Sequence, residues 1–158
     1  MLSTTTIAFA VLAFGNLEAQ TATQVVRFQV TAINQIGVTG APAPMVLSSA
    51  TAGSAPASVT ASGGNYAITT NEANKKITAS LDAALPAGIR LEVALAAPQG
   101  ASSAGDVPLS TAGADLVTGI STVAAAALPI TYRLSADATV HMPVPATRTV
   151  TFTIVSGS

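Results

Sequence analysis

The chain of 158 residues contains no cysteine and a single histidine, His141. The missing cysteines exclude a disulfide framework, thiolate metal ligands and a cysteine nucleophile. The single histidine excludes metal clusters and hydrolase sites that need a second imidazole, and its place beside a Met-Pro loop is typical of a solvated side chain. No serine lies in a G-x-S-x-G elbow. The sequence therefore predicts a protein that is not an enzyme and uses no cofactor.

Charge is also scarce, since charged residues make up 8% of the chain and the formal net charge is −1. Ordinary soluble domains contain about 25% charged residues. A surface of this kind lacks the basic patch that nucleic acid or an anionic membrane surface would require. It favours self-association, because little charge repulsion opposes it. We therefore expect no nucleic-acid partner, and the chain itself is the first candidate partner.

The few acidic residues are dispersed singly near turns or on outward strand positions, so no pair suggests the facing carboxylates of a glycosidase. Asn71, Glu72 and Asn74 offer oxygen ligands from one loop. Three ligands are too few for calcium, and no EF-hand spacing is present. The sequence therefore predicts no metal site.

Aromatic residues make up only 4% of the chain, and tryptophan is absent. Tyr66 and Tyr132 occupy apolar positions of alternating segments, which places them near a core and not on an exposed platform for a sugar ring. We expect the core to consist mainly of valine, isoleucine and leucine.

The N-terminal region resembles a secretory signal peptide. Residues 7–15 form a short apolar run, and Ala19 ends a stretch suited to cleavage. Nine apolar residues fall short of the roughly 20 that span a bilayer. We expect residues 1–19 to be a signal peptide, the mature chain to be secreted to the extracellular space or cell surface, and no membrane span to remain in it.

Most of the remaining sequence alternates between apolar and polar residues with the period of a β-strand. The clearest strands fall at residues 66–70, 77–81, 89–95, 130–136 and 150–154. We expect the first two of these to form a hairpin across 71–74, a short strand at 45–49, and a long loop at 50–64 with one weak strand near Val59. Residues 112–127 are consistent with a strand or with one turn of helix. About 8–10 short strands with frequent turn signals predict an all-β domain over residues 33–158, an Ig-like or jelly-roll antiparallel β-sandwich.

Residues 20–32, which follow the predicted signal peptide, form a candidate N-terminal strand. Val26, Phe28, Val30 and Ala32 share one face of this strand, opposite Arg27 and its polar neighbours. A strand at a chain end either pairs within its own domain or leaves it and completes a neighbouring copy. The pattern alone leaves both possibilities open.

The last predicted strand is a candidate acceptor or pairing partner through Val150, Phe152 and Ile154. Natural sheets protect their edges with lysine, proline or inward-pointing charge. The chain has only two lysines, Lys75 and Lys76, and its terminal strands carry little charge. An unprotected edge is either covered within the fold or used for pairing between molecules.

Four stretches carry a resemblance to known proteins: QVVRFQVTAINQIGVTG, YAITTNEANKKITASL, ITYRLSA and RTVTFTIVSGS. With them the chain resembles uncharacterised secreted bacterial β-sandwich surface proteins. In general design it is also similar to fibre subunits of the camelysin/TasA type and to archaeal bundling pilins. That similarity implies a subunit of a pilus-like fibre or biofilm matrix, in which Gln24–Ala32 completes the sandwich of the next subunit by donor-strand complementation. The alternative is a monomeric secreted adhesion module whose loops at 50–64 and 97–105 bind a glycan or a surface protein.

Overall fold

The computed structural model describes residues 20–157, so the predicted signal peptide lies outside the described residues. Of these, residues 20–30 belong to one unit and residues 31–157 to another. All of the strands described below belong to the second unit.

The second unit contains nine strands and, within residues 31–157, no helix. The strands are β1 (Asn34–Thr39), β2 (Val59–Thr70), β3 (Lys75–Leu81), β4 (Ile89–Leu95), β5 (Ser102–Ser103), β6 (Val107–Pro108), β7 (Ala114–Ile120), β8 (Val123–Ala136) and β9 (Val150–Ser156). They form two antiparallel sheets, one in the order β1-β2-β8-β4-β6 and the other in the order β5-β7-β3-β9. The predicted all-β fold is confirmed.

One hydrophobic core lies between the two sheets. The five-stranded sheet contributes Ile68, Val93 and Ile130, and the four-stranded sheet contributes Ile77 and Leu116, all of which are almost completely buried. Because each strand buries alternate residues, every sheet has one face in the core and one in solvent. This is the layered arrangement of a β-sandwich.

The predicted hairpin across residues 71–74 is wrong. β2 pairs with β1 and β8, whereas β3 pairs with β7 and β9. The turn between them, with Asn74 at φ 52°, therefore carries the chain from one sheet to the other. Alternation reports which face of a strand is buried and not which strand lies beside it, so Ile68 and Ile77 fit a hairpin and a crossing equally well.

A second local prediction is wrong. Residues 45–49 form no strand, and the pairing nearby is an isolated bridge between Ala50 and Pro56, since the surrounding prolines remove backbone donors.

The prediction of a loop at 50–64 is right only in part. The strand expected near Val59 is present, but it is the start of the long strand β2. The register of β2 shifts between Ser62 and Asn65, which interrupts the alternation there.

The uncertain region at 112–127 resolves into two strands. The alanines at the start of β8 favour helix by propensity, but Ala124 and Ala125 pair with Thr69 and Ile68 of β2. Thr122, with φ 41°, makes the tight turn that separates β7 from β8. Sheet pairing and packing outweigh a local propensity of a few tenths of a kcal/mol per residue.

Candidate assembly surface

The N-terminal segment presents a row of exposed apolar side chains. Residues 20–33 form no strand, and the exposed fractions of Val26, Phe28 and Val30 are 71%, 92% and 77%. Ala32 is also exposed. The prediction that these residues share one face of a strand is therefore not realised within a single chain. Large apolar side chains exposed together mark a surface that contacts something else.

The sandwich domain holds the chain firmly from Thr31 onward through Asn71. The Nδ2 atom of Asn71 donates a hydrogen bond of 2.9 Å to the carbonyl oxygen of Thr31. The N–H of Ile33 donates to Oδ1 of Asn71 at 2.8 Å, and the N–H of Asn71 donates to the carbonyl of Ile33 at 3.3 Å. These bonds fix where the exposed segment ends and the domain begins. No sequence spacing signals them, because the partners are about 40 positions apart.

A second polar group joins β1 to the start of β3. The Oε2 atom of Glu72 accepts hydrogen bonds from Nδ2 of Asn34 and from Nζ of Lys75, the latter at 2.9 Å. The hydroxyl of Thr70 donates to Oδ1 of Asn34 at 2.8 Å. The hydrogen bond from Asn34, and then that from Lys75, lowers the pKa of the Glu72 carboxyl. Glu72 is therefore a structural carboxylate that ties the first strand to the second sheet.

The loop oxygens considered as calcium ligands serve this local structure. Asn71 and Glu72 use their side-chain oxygens in the bonds just described, and the carbonyl oxygen of Asn74 accepts a hydrogen bond from the N–H of Gly157 at 2.6 Å. Within residues 20–157, His, Asp and Glu side chains form no group of three that could hold a metal ion.

The predicted acceptor residues Val150, Phe152 and Ile154 lie in β9, at one edge of the four-stranded sheet. Their side chains are half-buried against the core. The odd-numbered residues of β9 form the hydrogen bonds to β3. This follows from two backbone bonds that flank the strand, from the N–H of Asp82 to the carbonyl of Thr149 and from the N–H of Gly157 to the carbonyl of Asn74. Since N–H and C=O groups of successive residues point to opposite edges of a strand, those of Val150, Phe152, Ile154 and Ser156 point outward.

β9 lies beside β1, which is an edge strand of the other sheet. The two strands lie close together on one side of the domain, but no β-ladder joins them anywhere in residues 31–157. The bond between Asn71 and Ile33 shows that odd-numbered residues of β1 face β2. The backbone groups of the even-numbered Asn34, Ile36 and Val38 therefore point away from β2, to the outer edge of the five-stranded sheet.

β9 carries none of the usual protection of a sheet edge. Its sequence contains no charged residue and no proline. Lys75 and Lys76 belong to the neighbouring inner strand β3 and pair with Glu72 and Asp115 at 2.9 and 3.0 Å. Arg148 precedes β9, and its guanidinium donates to the carbonyl of Ala84. The Nζ of Lys75 also donates a long hydrogen bond of 3.5 Å to the hydroxyl of Ser156 at the end of β9, whereas β9 has no charged side chain of its own.

A shallow polar concavity lies on the solvent face of the five-stranded sheet. It has a volume of about 440 Å³ and is lined by Ser58, Arg90, Glu92, Arg133 and Ser135. Arg90 pairs with Glu92 at 3.0 Å, and Arg133 pairs with Asp106 at 3.4 Å. Because each cation has a carboxylate partner, the concavity has little net charge. Sequence reasoning missed it because its residues come from strands far apart in the chain.

The two tyrosines lie in the interior, as predicted. Tyr66 and Tyr132 are 1% and 8% exposed, and the hydroxyl of Tyr66 donates to the carbonyl of Ala96. Burial raises the pKa of Tyr132 and raises that of Tyr66 to about 12. Neither ring is available as a stacking platform for a sugar.

None of the described residues belongs to a helix of the length and apolarity needed to cross a membrane. Comparison of the chain with protein-family models, curated proteins and solved structures found no match.

Proposed function

We propose that this chain is a secreted structural subunit of an extracellular, pilus-like filament at the cell surface or in a biofilm matrix. Assembly proceeds by donation of the N-terminal strand from one subunit to the next. The observation that carries the proposal is the exposed row of Val26, Phe28 and Val30. These alternating apolar residues come just before Thr31, where the hydrogen bond from Asn71 anchors the chain to the domain. Addition of such a strand to a sheet edge is a common mode of recognition.

The size of the segment supports this role. The seven residues Gln24–Val30, which precede the anchored Thr31, span roughly 23 Å at about 3.3 Å per residue, the length of a seven-residue strand such as β9. Burial of Val26, Phe28 and Val30 contributes on the order of 5–8 kcal/mol, before the cost of association is subtracted. Main-chain hydrogen bonds add to this contribution.

The test is a variant that lacks residues 20–30 and keeps Thr31, whose carbonyl is bonded to Asn71. We expect this variant to remain folded and to form no filaments in electron micrographs. A full-length control in which Gln24 and Gln29 are replaced by serine should assemble, whereas replacement of Val26, Phe28 and Val30 by serine should prevent assembly. Filaments formed by the deletion variant as readily as by the intact chain would rule out the donor role.

The second candidate function is a monomeric adhesion or binding module. The polar concavity around Arg90 and Arg133 favours it, since paired ions on a sheet face offer hydrogen-bond donors and acceptors to a glycan or a protein. This function predicts a monomer at every protein concentration and a thermal shift on addition of ligand. Size-exclusion chromatography of the mature chain across a concentration series separates the two functions.

A further inference from the structure

The domain has four edge strands, and they differ greatly in what they offer to a donated strand. β5 and β6 contain two residues each, too few to pair with a segment of seven to nine. β1 has six residues, of which only Ile36 is half-buried. β9 has seven residues, of which four point their backbone groups outward and three pack apolar side chains against the core. β9 is therefore the edge best suited to accept a strand.

Resting on the proposed function, we propose that Gln24–Val30 of one subunit pairs antiparallel with β9 of a second copy, with Phe28 opposite Phe152. The donated strand lies along the outer edge of β9 and extends the four-stranded sheet by one strand. The facing residues are Gln24 and Ser156, Val25 and Val155, Val26 and Ile154, Arg27 and Thr153, Phe28 and Phe152, Gln29 and Thr151, and Val30 and Val150.

This register matches polarity at all seven positions. Apolar residues face apolar residues and polar residues face polar residues, which is the arrangement that cross-strand pairs favour. The decisive pair is Val25 with Val155, because each valine interrupts the alternation of its own strand. If the donated strand moved two residues along β9 in one direction, the charged Arg27 would lie opposite the apolar Val155. If it moved two residues in the other direction, the polar Gln24 would lie opposite the apolar Ile154. A shift of one residue would turn the apolar face outward.

The same register satisfies the backbone. Phe152 points its N–H and C=O groups to the outer edge of β9, so the pair formed by Phe28 and Phe152 is a hydrogen-bonded pair of the antiparallel type. The pairs two residues away on either side, Val26 with Ile154 and Val30 with Val150, are of the same type. Their side chains fall on the core side of the sheet, where β9 already presents half-buried apolar groups.

Chain reach requires the donor to come from a second copy. Asn34 and Lys75 bond to the same oxygen of Glu72, and Lys75 lies opposite Ser156, so Asn34 is at the Ser156 end of β9. Val30 would have to lie opposite Val150, six residues and about 20 Å along the strand. The four residues from Val30 to Asn34 span at most about 14 Å. A chain cannot pair with its own β9 in this register.

Disulfide trapping tests the register directly, because the natural chain has no cysteine and gives no background. The substitutions Arg27→Cys and Thr153→Cys, made in one chain, affect two exposed side chains on the solvent face. Directly opposite residues of this non-hydrogen-bonded type have Cα atoms about 4.5 Å apart, within the range of a disulfide. We expect assembled protein to give a ladder of covalent multimers on a non-reducing denaturing gel, which reductant returns to monomer.

Two control variants shift the expected partner by two residues: Arg27→Cys with Thr151→Cys, and Gln29→Cys with Thr153→Cys. Their diagonal Cα atoms would lie about 7–8 Å apart, too far for efficient oxidation, so we expect at least a tenfold weaker ladder. A stronger ladder from either control overturns the register. An internal disulfide in a fast-migrating monomer overturns the pairing between copies.

The same experiment separates this inference from the proposed function. Filaments visible by electron microscopy without a ladder from any of the three variants would show that β9 is not the acceptor, while the filament function would stand. No filaments from the natural chain would contradict the filament function and this inference together.

Discussion

Replacement of Phe28 by alanine separates the stability of the domain from the stability of the assembly. The ring is 92% exposed in the single chain, so its removal should change the free energy of unfolding by no more than about 0.5 kcal/mol, as for other surface substitutions. In the proposed assembly the ring lies opposite Phe152 on the core side of the sheet. Burial of a phenylalanine contributes about 1.5–3 kcal/mol. At 1.4 kcal/mol per factor of ten, the critical concentration for assembly should rise about 10- to 100-fold.

Two measurements on the same protein check this expectation. The critical concentration comes from the amount of pelletable filament across a protein concentration series, with electron microscopy to identify the pelleted material. The free energy of unfolding comes from urea denaturation below that concentration. The matched control is Gln29→Ala at the adjacent position on the outer face, which should change the critical concentration by less than about threefold. Ile77→Ala, at a fully buried position, should cost about 2–5 kcal/mol of folding stability and calibrates the assay.

Two results would refute the reasoning. If Phe28→Ala destabilised the domain as much as Ile77→Ala, the ring would belong to its own core. If Phe28→Ala left the critical concentration unchanged while filaments formed, the N-terminal segment would not be the donor.

Three further substitutions test the domain itself. Tyr66→Phe should lower stability at neutral pH by about 1 kcal/mol through loss of a buried hydrogen bond. Because folding raises the pKa of Tyr66 from 10.0 to about 12, the natural domain should lose stability as the pH rises through this range. The variant lacks this hydroxyl, so its melting temperature should fall less over the same pH range. Glu72→Gln removes the ion pair with Lys75. Since folding lowers the pKa of Glu72 from 4.5, the ionised carboxylate contributes to folding stability above pH 4.5, and this contribution is lost as the pH falls. The melting temperatures of the variant and the natural chain should therefore converge in acid. Gly88→Ala should destabilise the domain by about 1–3 kcal/mol in urea, because φ is +76° and the added Cβ would lie 2.6 Å from Cγ2 of Val140; Gly100→Ala shares a positive φ but meets no atom within 4 Å and should cost less.

The sequence predicted strands well wherever one face of a strand is buried and the other is solvated. β4 shows this clearly, since Leu91, Val93 and Leu95 are buried while Arg90 is exposed. Strand partners could not be predicted in the same way. Ile68 and Ile77 follow each other across a short turn yet belong to different sheets, because a single period of two is compatible with either connection. Partner choice depends on long-range packing that no local window contains.

The candidate assembly surface was predictable in its residues but not in its geometry. Alternation identified Val26, Phe28 and Val30 as one face and Phe152 as part of a terminal strand. It could not show that the first group is exposed or that β9 is an edge strand, since both facts depend on sheet order. The anchoring by Asn71 was invisible for the same reason. The matching interruptions at Val25 and Val155 are present in the sequence, and they gain meaning only when the outward-facing edge of β9 is known.

Each half of the proposed interface is unfavourable when considered alone. An exposed row of large apolar side chains promotes aggregation, and a sheet edge without charge or proline is a template for uncontrolled pairing. The chain has few charges with which to oppose either, and the lysines nearest to β9 are already paired with carboxylates. A sequence that needed only to fold as a monomer could remove both hazards with one lysine at Phe28 and another at Thr153. Both hazards disappear together, without any substitution, when Gln24–Val30 of one copy covers β9 of the next, and the polarity match at all seven positions is what such covering requires.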